Sequence, residues 1–417
     1  MPLPDGAAAD VDRAVRDVAA FIGEPTNPVD PAVFGAVAAH GDERLAWVLA
    51  DMGQFVFRGE AFDALLAAGT ELTGGEYTIR TWWKGMSDEL IADDVPAPPG
   101  YLEWKRRLLG AVDVTWLAFL DDPSAQVDWR LVTFGGVLAD TRPFGSPETC
   151  SCIPALDDPP AVPAADGDWY PDHRTVLGVS IDGESRAYPL NILEIHELVN
   201  DELGGRRFSL TYCTLCRSGV AYYVDDVPAG VEPPVLRTSG LLQRSNKLVF
   251  DRESDSYFNQ FTGTAISGPL AEAGVVLPRI TVVTSTWADW QAAHPETSLM
   301  AGKDGNGPNY PLDPLGDRDA GGPIFPIGDV DDTLLASTTV VGVVDADGSA
   351  IAFPRAAALA ALDAGEPVVL DGVMAVADGS GLRLVDGDGK DLASSEASWF
   401  AWSQTFPNTA LWVPPAG

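Results

Sequence analysis

Apolar residues recur at helical spacing through the first third of the chain. Val11 to Ile22, Pro31 to Met52 and Ala61 to Ala68 repeat the pattern, and Tyr101 to Leu120 carries it on Trp104, Leu108, Leu109, Val112, Trp116 and Leu120. Residues 1–125 are therefore predicted to form a small all-helical domain, with the punctuated loop Pro96 to Gly100 inside it. His40 is expected at its surface or at a cap. From about residue 128 the periods shorten towards strand alternation. Strands are predicted at Trp129–Val137, Thr175–Ile181, Phe208–Tyr212, Gly219–Val224, Lys247–Asp251, Ile280–Thr284, Thr338–Val344 and Pro367–Leu370, with short helices at Trp287–His294 and Pro354–Ala364.

Two stretches repeat. Val176-Leu-Gly-Val-Ser-Ile-Asp-Gly183 leads to Arg186-Ala-Tyr-Pro189, and Val340 to Gly348 leads to Ile351-Ala-Phe-Pro354. Each reads as a strand, an Asp-Gly turn, a second strand and a helix. Further on, Trp287 to Leu299 aligns without gaps on Trp399 to Leu411. The predicted class is α+β: a β-rich duplicated module preceded by the helical domain. The expected boundaries are a helical domain at 1–125, a Pro- and Asp-rich connection at 126–174, a first module at 175–300, a linker at 301–337 and a degenerate second copy at 338–417. The second copy holds no Cys and no His, so chemistry is expected in the first.

A helix is predicted from Leu190 towards Gly204-Gly205, which would stop it, with Asn191 and Glu194 as a capping box. Ile192, Ile195, Val199 and Leu203 form one stripe, and His196 falls within it, so the imidazole is expected to face inwards. Glu194, Glu197 and Asp201 would occupy the wet side. After Gly205 the alternation of Phe208-Ser-Leu-Thr-Tyr212 marks a strand that ends at Cys213. A helix rising about 1.5 Å per residue beside a strand rising about 3.3 Å would put Cys213 near the helix start, with His196 only halfway along.

All four cysteines fall between positions 150 and 216, as Cys150-Ser-Cys152 and Cys213-Thr-Leu-Cys216. Two close pairs are candidates for a metal site, a redox dithiol or disulfides. The charge balance bears on partners. Twenty-six Lys and Arg against sixty-one Asp and Glu give −35, a surface that repels phosphate backbones and anionic lipid, so no nucleic acid partner is expected. No run of eighteen apolar residues predicts a membrane span, and the start carries no basic and apolar leader pattern.

Several of these residues together resemble a known family. Ile153 to Pro159, Ala187-Tyr-Pro-Leu190, His196-Glu-Leu-Val-Asn-Asp201, Thr211-Tyr-Cys-Thr-Leu-Cys216, Asp251 to Ser256 with Gln260, Gly240-Leu-Leu and Gly263 to Gly268 resemble the uncharacterised family called domain of unknown function 3179. The resemblance spans about 153–300, with the degenerate copy beyond it. Thr214 stands where that family usually has proline, and Arg217 where it usually has a small residue. The resemblance implies a functional centre at His196, Cys213 and Cys216.

The leading expectation is a metal-binding protein, copper before zinc, held by Cys213, Cys216 and His196, with Cys150 and Cys152 as further ligands. Catalysis, if present, would be a copper-dependent oxidation, and the partner a metal ion or small molecule. Glu197, Asn200 and Tyr212 are candidate groups around the ligands. The alternatives are a metal-free CxxC thiol–disulfide oxidoreductase, with Cys213 attacking and Cys216 resolving, and a binding module stapled by disulfides. Asp251 with Arg252 is expected to pin a turn, Gln260 to line a pocket or the framework, and His173 to sit in a loop within reach of the site; His294, aligned with Phe406 of the second copy, is expected to pack.

Overall fold

The computed structural model describes residues 1–78, 82–302, 309–318, 322–345 and 348–414. Parts of the expected 301–337 linker, and residues 346–347 of the second Asp-Gly turn, lie outside these.

The first 120 residues are all-helical among those described, as the periodicity implied. Ala7–Gly23, Ala32–Ala38, Ala46–Gly53, Glu60–Thr73, Trp82–Ala92 and Tyr101–Val112 bury Val11, Val15, Phe34, Trp47, Leu65 and Trp104 in one core. A fully covered Lys105 donates to Asp51 at 2.7 Å inside it. His40 holds Asp10 at 2.8 Å near the surface. The region is seated on the β-rich part through aromatics. Phe119 stacks on Tyr257 with ring centroids 4.3 Å apart, and the Trp116 indole donates to the Ser239 carbonyl at 2.8 Å.

Beyond it the chain is β-rich, so the whole is mixed α+β. One sheet joins Val132–Phe134, Leu236–Gln243, Asn246–Asp251 and Ser256–Asn259 in that order. A nine-stranded sheet among the described residues runs from Leu156–Asp157 through the hairpin Leu198–Leu203/Arg206–Cys213 to Ser218–Tyr223, then on to Ser395–Ser398 and Thr339–Val344.

One strand order occurs twice. Val283–Thr286 pairs antiparallel with Thr175–Ile181, which pairs antiparallel with Glu184–Pro189, which pairs parallel with Ser298–Met300. Ser395–Ser398, Thr339–Val344, Ala350–Pro354 and Ala410–Leu411 follow in the same order and senses. The packing corresponds too. A Cβ on Gly178 would come within 2.3 Å of Trp290, and one on Gly342 within 2.2 Å of Trp402, so each unit needs a bare backbone under its tryptophan. Each indole donates at 3.0 Å to a threonine hydroxyl, Thr297 or Thr409.

The junction between the units carries a buried acid. Glu396 pairs in register with Gly219 and sits 3.0 Å from the Arg355 guanidinium. Burial outweighs the Arg355 charge and the Thr284 hydrogen bond and pushes its carboxyl up to about 7. The folded chain therefore binds this proton more tightly than the unfolded chain, whose carboxyl titrates near 4.5. The stability contributed by the protonated acid is complete below about 4.5 and is lost as pH rises through 7. Melting of the wild type and Glu396→Gln across pH 4–8 should show the variant gaining relative stability with pH, by up to about 3 kcal/mol at about 1.4 kcal/mol per pH unit. Parallel profiles would contradict the assignment.

Candidate functional site

The 190–203 stretch departs from the single helix expected. The helix runs only over Leu190–His196, and Leu198–Leu203 is a strand. Glu197 closes the helix in the left-handed region at φ 55°, and its N–H bonds the Leu193 carbonyl at 2.7 Å. The physical reason is downstream. Gly204 and Gly205 both adopt positive φ, 58° and 73°, which is what a two-residue hairpin turn requires, and Leu203 pairs with Arg206 across it. The alternating Leu198-Val-Asn-Asp-Glu-Leu203 then pairs with the strand that carries Cys213. Asn191 does not cap the helix; it lies inside it and donates to the Pro311 carbonyl at 2.9 Å.

The two paired strand arms return Cys213 to the C-terminal end of the helix, and the Tyr212 N–H bonds the Glu197 carbonyl at 2.8 Å. The expected position near the helix start is corrected accordingly. Glu197 and Asp201, expected on the wet side, are both buried, Glu197 at the helix end against Lys247 and Asp201 on the strand against Tyr188 and Arg186. Asp201 accepts from Tyr188 at 2.7 Å and pairs with Arg186.

Cys213 ends its strand, and Thr214 to Arg217 form the loop to Ser218, with which Cys213 pairs. Both thiols are free and buried. Both reach the Ser245 carbonyl, Cys213 Sγ at 3.6 Å and Cys216 Sγ at 3.2 Å. Ser245 comes from the turn between Leu236–Gln243 and Asn246–Asp251, and the same hairpin delivers Lys247. The buried Lys247 ammonium donates to a Glu197 carboxylate oxygen and, at 3.3 Å, to the Glu197 carbonyl. The other Glu197 oxygen accepts from the Thr214 hydroxyl at 2.9 Å. Thr214, Glu197 and Lys247 thus tie the loop, the helix end and the hairpin together.

A cavity of about 290 Å³ opens on one side, lined by Cys213, Glu197, Lys247, Ile153, Leu241 and Phe325 among others; Cys216 is not at its wall. Burial by itself raises the Cys213 thiol, but the hydrogen bond from Cys216 and the Lys247 charge outweigh it and hold Cys213 below the ordinary thiol range. Burial, and the hydrogen bond and charge of Cys213, push Cys216 well above that range. Gln260 backs the loop, donating to the Thr211 hydroxyl at 3.1 Å and the Ser218 carbonyl at 3.2 Å.

The other candidate residues lie elsewhere. His196 is buried, with Nδ1 2.7 Å from the Pro154 carbonyl and Nε2 2.9 Å from the Tyr310 hydroxyl. A carbonyl only accepts, so Nδ1 carries the proton and, in the neutral ring, Nε2 accepts from Tyr310. Cys150 and Cys152 are joined to each other. Among the described residues, the group of at least three Cys, His, Asp or Glu side chains whose ligand atoms lie within 4.8 Å of one another is Asp140, Cys150 and Cys152; His196, Cys213 and Cys216 do not form one. Asp140 is committed to Arg142 through two contacts of 2.7 Å. Asn200 joins a buried network, donating to Asp157 at 2.9 Å and accepting from Ser209 at 2.6 Å. Tyr212 is buried beside Thr214 and Arg217. Asp251 holds its turn through the Ser254 N–H at 3.0 Å, whereas Arg252 pairs with Glu253. His173 is exposed.

Lys247 and Ser245 are absent from the sequence-based set. The available signal was a single lysine leading directly into the apolar run Leu248 to Phe250, which a buried strand tolerates only with a partner.

A family model described as a protein of unknown function, DUF3179, matches residues 150–378. Neither the curated proteins nor the solved structures contain a match.

Proposed function

The chain belongs to the DUF3179 family of proteins of unknown function, and we propose that its Cys213–Cys216 pair is a redox-active dithiol that exchanges with a small, largely apolar disulfide. The observation that carries this reading is the placement of two free sulfurs on one carbonyl oxygen, with only Cys213 at the cavity wall. Cys213, as the thiolate, attacks one sulfur of the bound disulfide; the S–S bond breaks and the first thiol leaves with a proton. Cys216 then gives up its proton and attacks the Cys213 sulfur, which releases the second thiol. The chain is oxidised by two electrons and the substrate reduced by two. Lys247 supports the Cys213 thiolate by its charge, and the carboxylate of Glu197 fixes the ammonium in place.

Titration of the reduced protein with the neutral disulfide 2,2′-dithiodipyridine tests this. Two thiopyridones per chain and an internal Cys213–Cys216 disulfide are expected. A native protein whose Cys213 does not react, or that keeps one pyridyl adduct without closing the bridge, would contradict it.

A second reading rests on the same convergence. Two thiolates are the donor set for a soft metal, copper before zinc, here without the His196 imidazole as a ligand. Elemental analysis of untagged protein separates the readings: stoichiometric copper supports the second, and metal-free protein with two titratable thiols the first. We also read the second four-strand unit as a degenerate copy of the first; the shared strand order supports this.

A further inference from the structure

A second constellation lies away from the cysteines, where the Val373–Asp378/Gly381–Val385 hairpin meets the first four-strand unit. His294 caps the C-terminal end of the Trp287–Ala293 helix, and its ring stacks on Trp290 with centroids 3.8 Å apart. Its Nε2 lies 2.7 Å from Asp378 Oδ1, and its Nδ1 lies 3.4 Å from the Ser185 hydroxyl. Ser185 also contacts the Ser180 hydroxyl at 2.7 Å, across the paired strands. The other oxygen of Asp378 faces Arg383 at 3.5 Å. The hairpin tip is fixed by Ser380, whose hydroxyl accepts from the Thr286 N–H at 2.9 Å and whose N–H donates to the Ser285 hydroxyl at 3.0 Å. Ser185, His294, Asp378 and Arg383 all line one cavity of about 660 Å³.

We propose that Ser185, His294 and Asp378 form a nucleophile–base–acid triad that hydrolyses small neutral or cationic esters, an activity separate from the dithiol. A carboxylate only accepts, so Asp378 selects the tautomer with the proton on Nε2, which leaves the Nδ1 lone pair towards Ser185. The roles of the two nitrogens are thus set by their partners, which is the criterion for a triad, and a nucleophile–base contact of 3.4 Å is within the looser range of unliganded sites. Trp290 holds the ring plane from one side. The Ser185 oxygen forms a bond to the ester carbonyl carbon as its proton passes to Nδ1. Collapse of the tetrahedral intermediate breaks the ester C–O bond, and the alcohol takes that proton. Water repeats the sequence on the acyl-serine, releasing the acid and restoring Ser185, so an ester and water become an acid and an alcohol. Arg383 is the cation at the cavity wall available to the developing oxyanion. The substrate class follows from charge: Asp182 and Asp391 line the same cavity, in a chain of net charge −35, so an anionic ester is repelled.

The test is a fluorophosphonate probe on the full chain, with the modified peptide located by mass spectrometry, alongside hydrolysis of p-nitrophenyl acetate and of the anionic p-nitrophenyl hemisuccinate. An adduct on Ser185 is expected, with the acetate preferred over the hemisuccinate. Both labelling and hydrolysis should fall about 100-fold or more in His294→Ala, and strongly in Asp378→Asn, with the near-ultraviolet dichroism of each variant retained. Absence of an adduct on folded wild-type protein, an adduct on another serine, or labelling that survives His294→Ala would overturn the triad. A preference for the anionic ester would overturn the substrate class. Because Cys213 and Cys216 take no part, failure of the dithiol reading leaves these outcomes unchanged.

Discussion

Cys216→Ser should trap the chain halfway through its reaction. Cys213 keeps its place at the cavity wall beside Lys247, but the sulfur that would resolve the mixed disulfide is gone. Incubation with 2,2′-dithiodipyridine should then release one thiopyridone per chain and leave a stable pyridyl adduct on Cys213, seen by intact mass. Cys213→Ser should lower the rate of thiopyridone release by at least about 100-fold, because Cys216 lies behind the wall and its burial, which does not depend on Cys213, still disfavours the thiolate. The two variants differ by the position of one sulfur, so the asymmetry between them reports which cysteine attacks. Equal behaviour would mean that the loop presents both thiols alike.

The largest expected effect on stability belongs to Asp157. It receives the Arg237 guanidinium through two contacts of 2.7 and 2.9 Å and the Asn200 amide at 2.9 Å, and Arg237 is only 1% exposed. Asp157→Ala leaves that guanidinium uncompensated between sheets, at a cost of about 3–5 kcal/mol. The double variant Asp157→Leu with Arg237→Met removes both charges and should recover most of the loss, because replacing a buried pair by apolar groups of similar volume is close to neutral. Denaturant midpoints for the three proteins check this. A single variant within about 1 kcal/mol of wild type would mean that water reaches the pair.

The sequence made the helical third legible through aliphatic spacing, and the Thr175–Ile181, Arg206–Cys213 and Thr339–Val344 strands through their alternating or continuous apolar runs. It misled at Leu198 to Leu203, where Val199 and Leu203 satisfy a helical stripe and a strand equally well. The Gly204-Gly205 pair stops a helix in one reading and turns a hairpin in the other, and only pairing with Arg206–Cys213 decides. That error moved Glu197 from solvent to the ion pair with Lys247. The CxxC was visible as a local motif. Ser245 and Lys247 were not, because they approach from a hairpin some thirty positions later, and such contacts leave no local periodicity. The same holds for His294 and Asp378, 84 positions apart. Packing was the expected role of His294, and the structure supplies the partner, Trp290, on which its ring stacks; its polar partners come from two strands.

The central claim is tested most directly by equilibrating the untagged full chain in glutathione buffers of graded potential, quenching in acid, alkylating, and counting modified cysteines by mass spectrometry. A reversible two-electron transition is expected, in which Cys213 and Cys216 lose their two hydrogens together to form one disulfide while Cys150 and Cys152 stay joined. Two cysteines that remain alkylatable at every potential, or that are protected by a stoichiometric metal instead of a disulfide, would contradict the account.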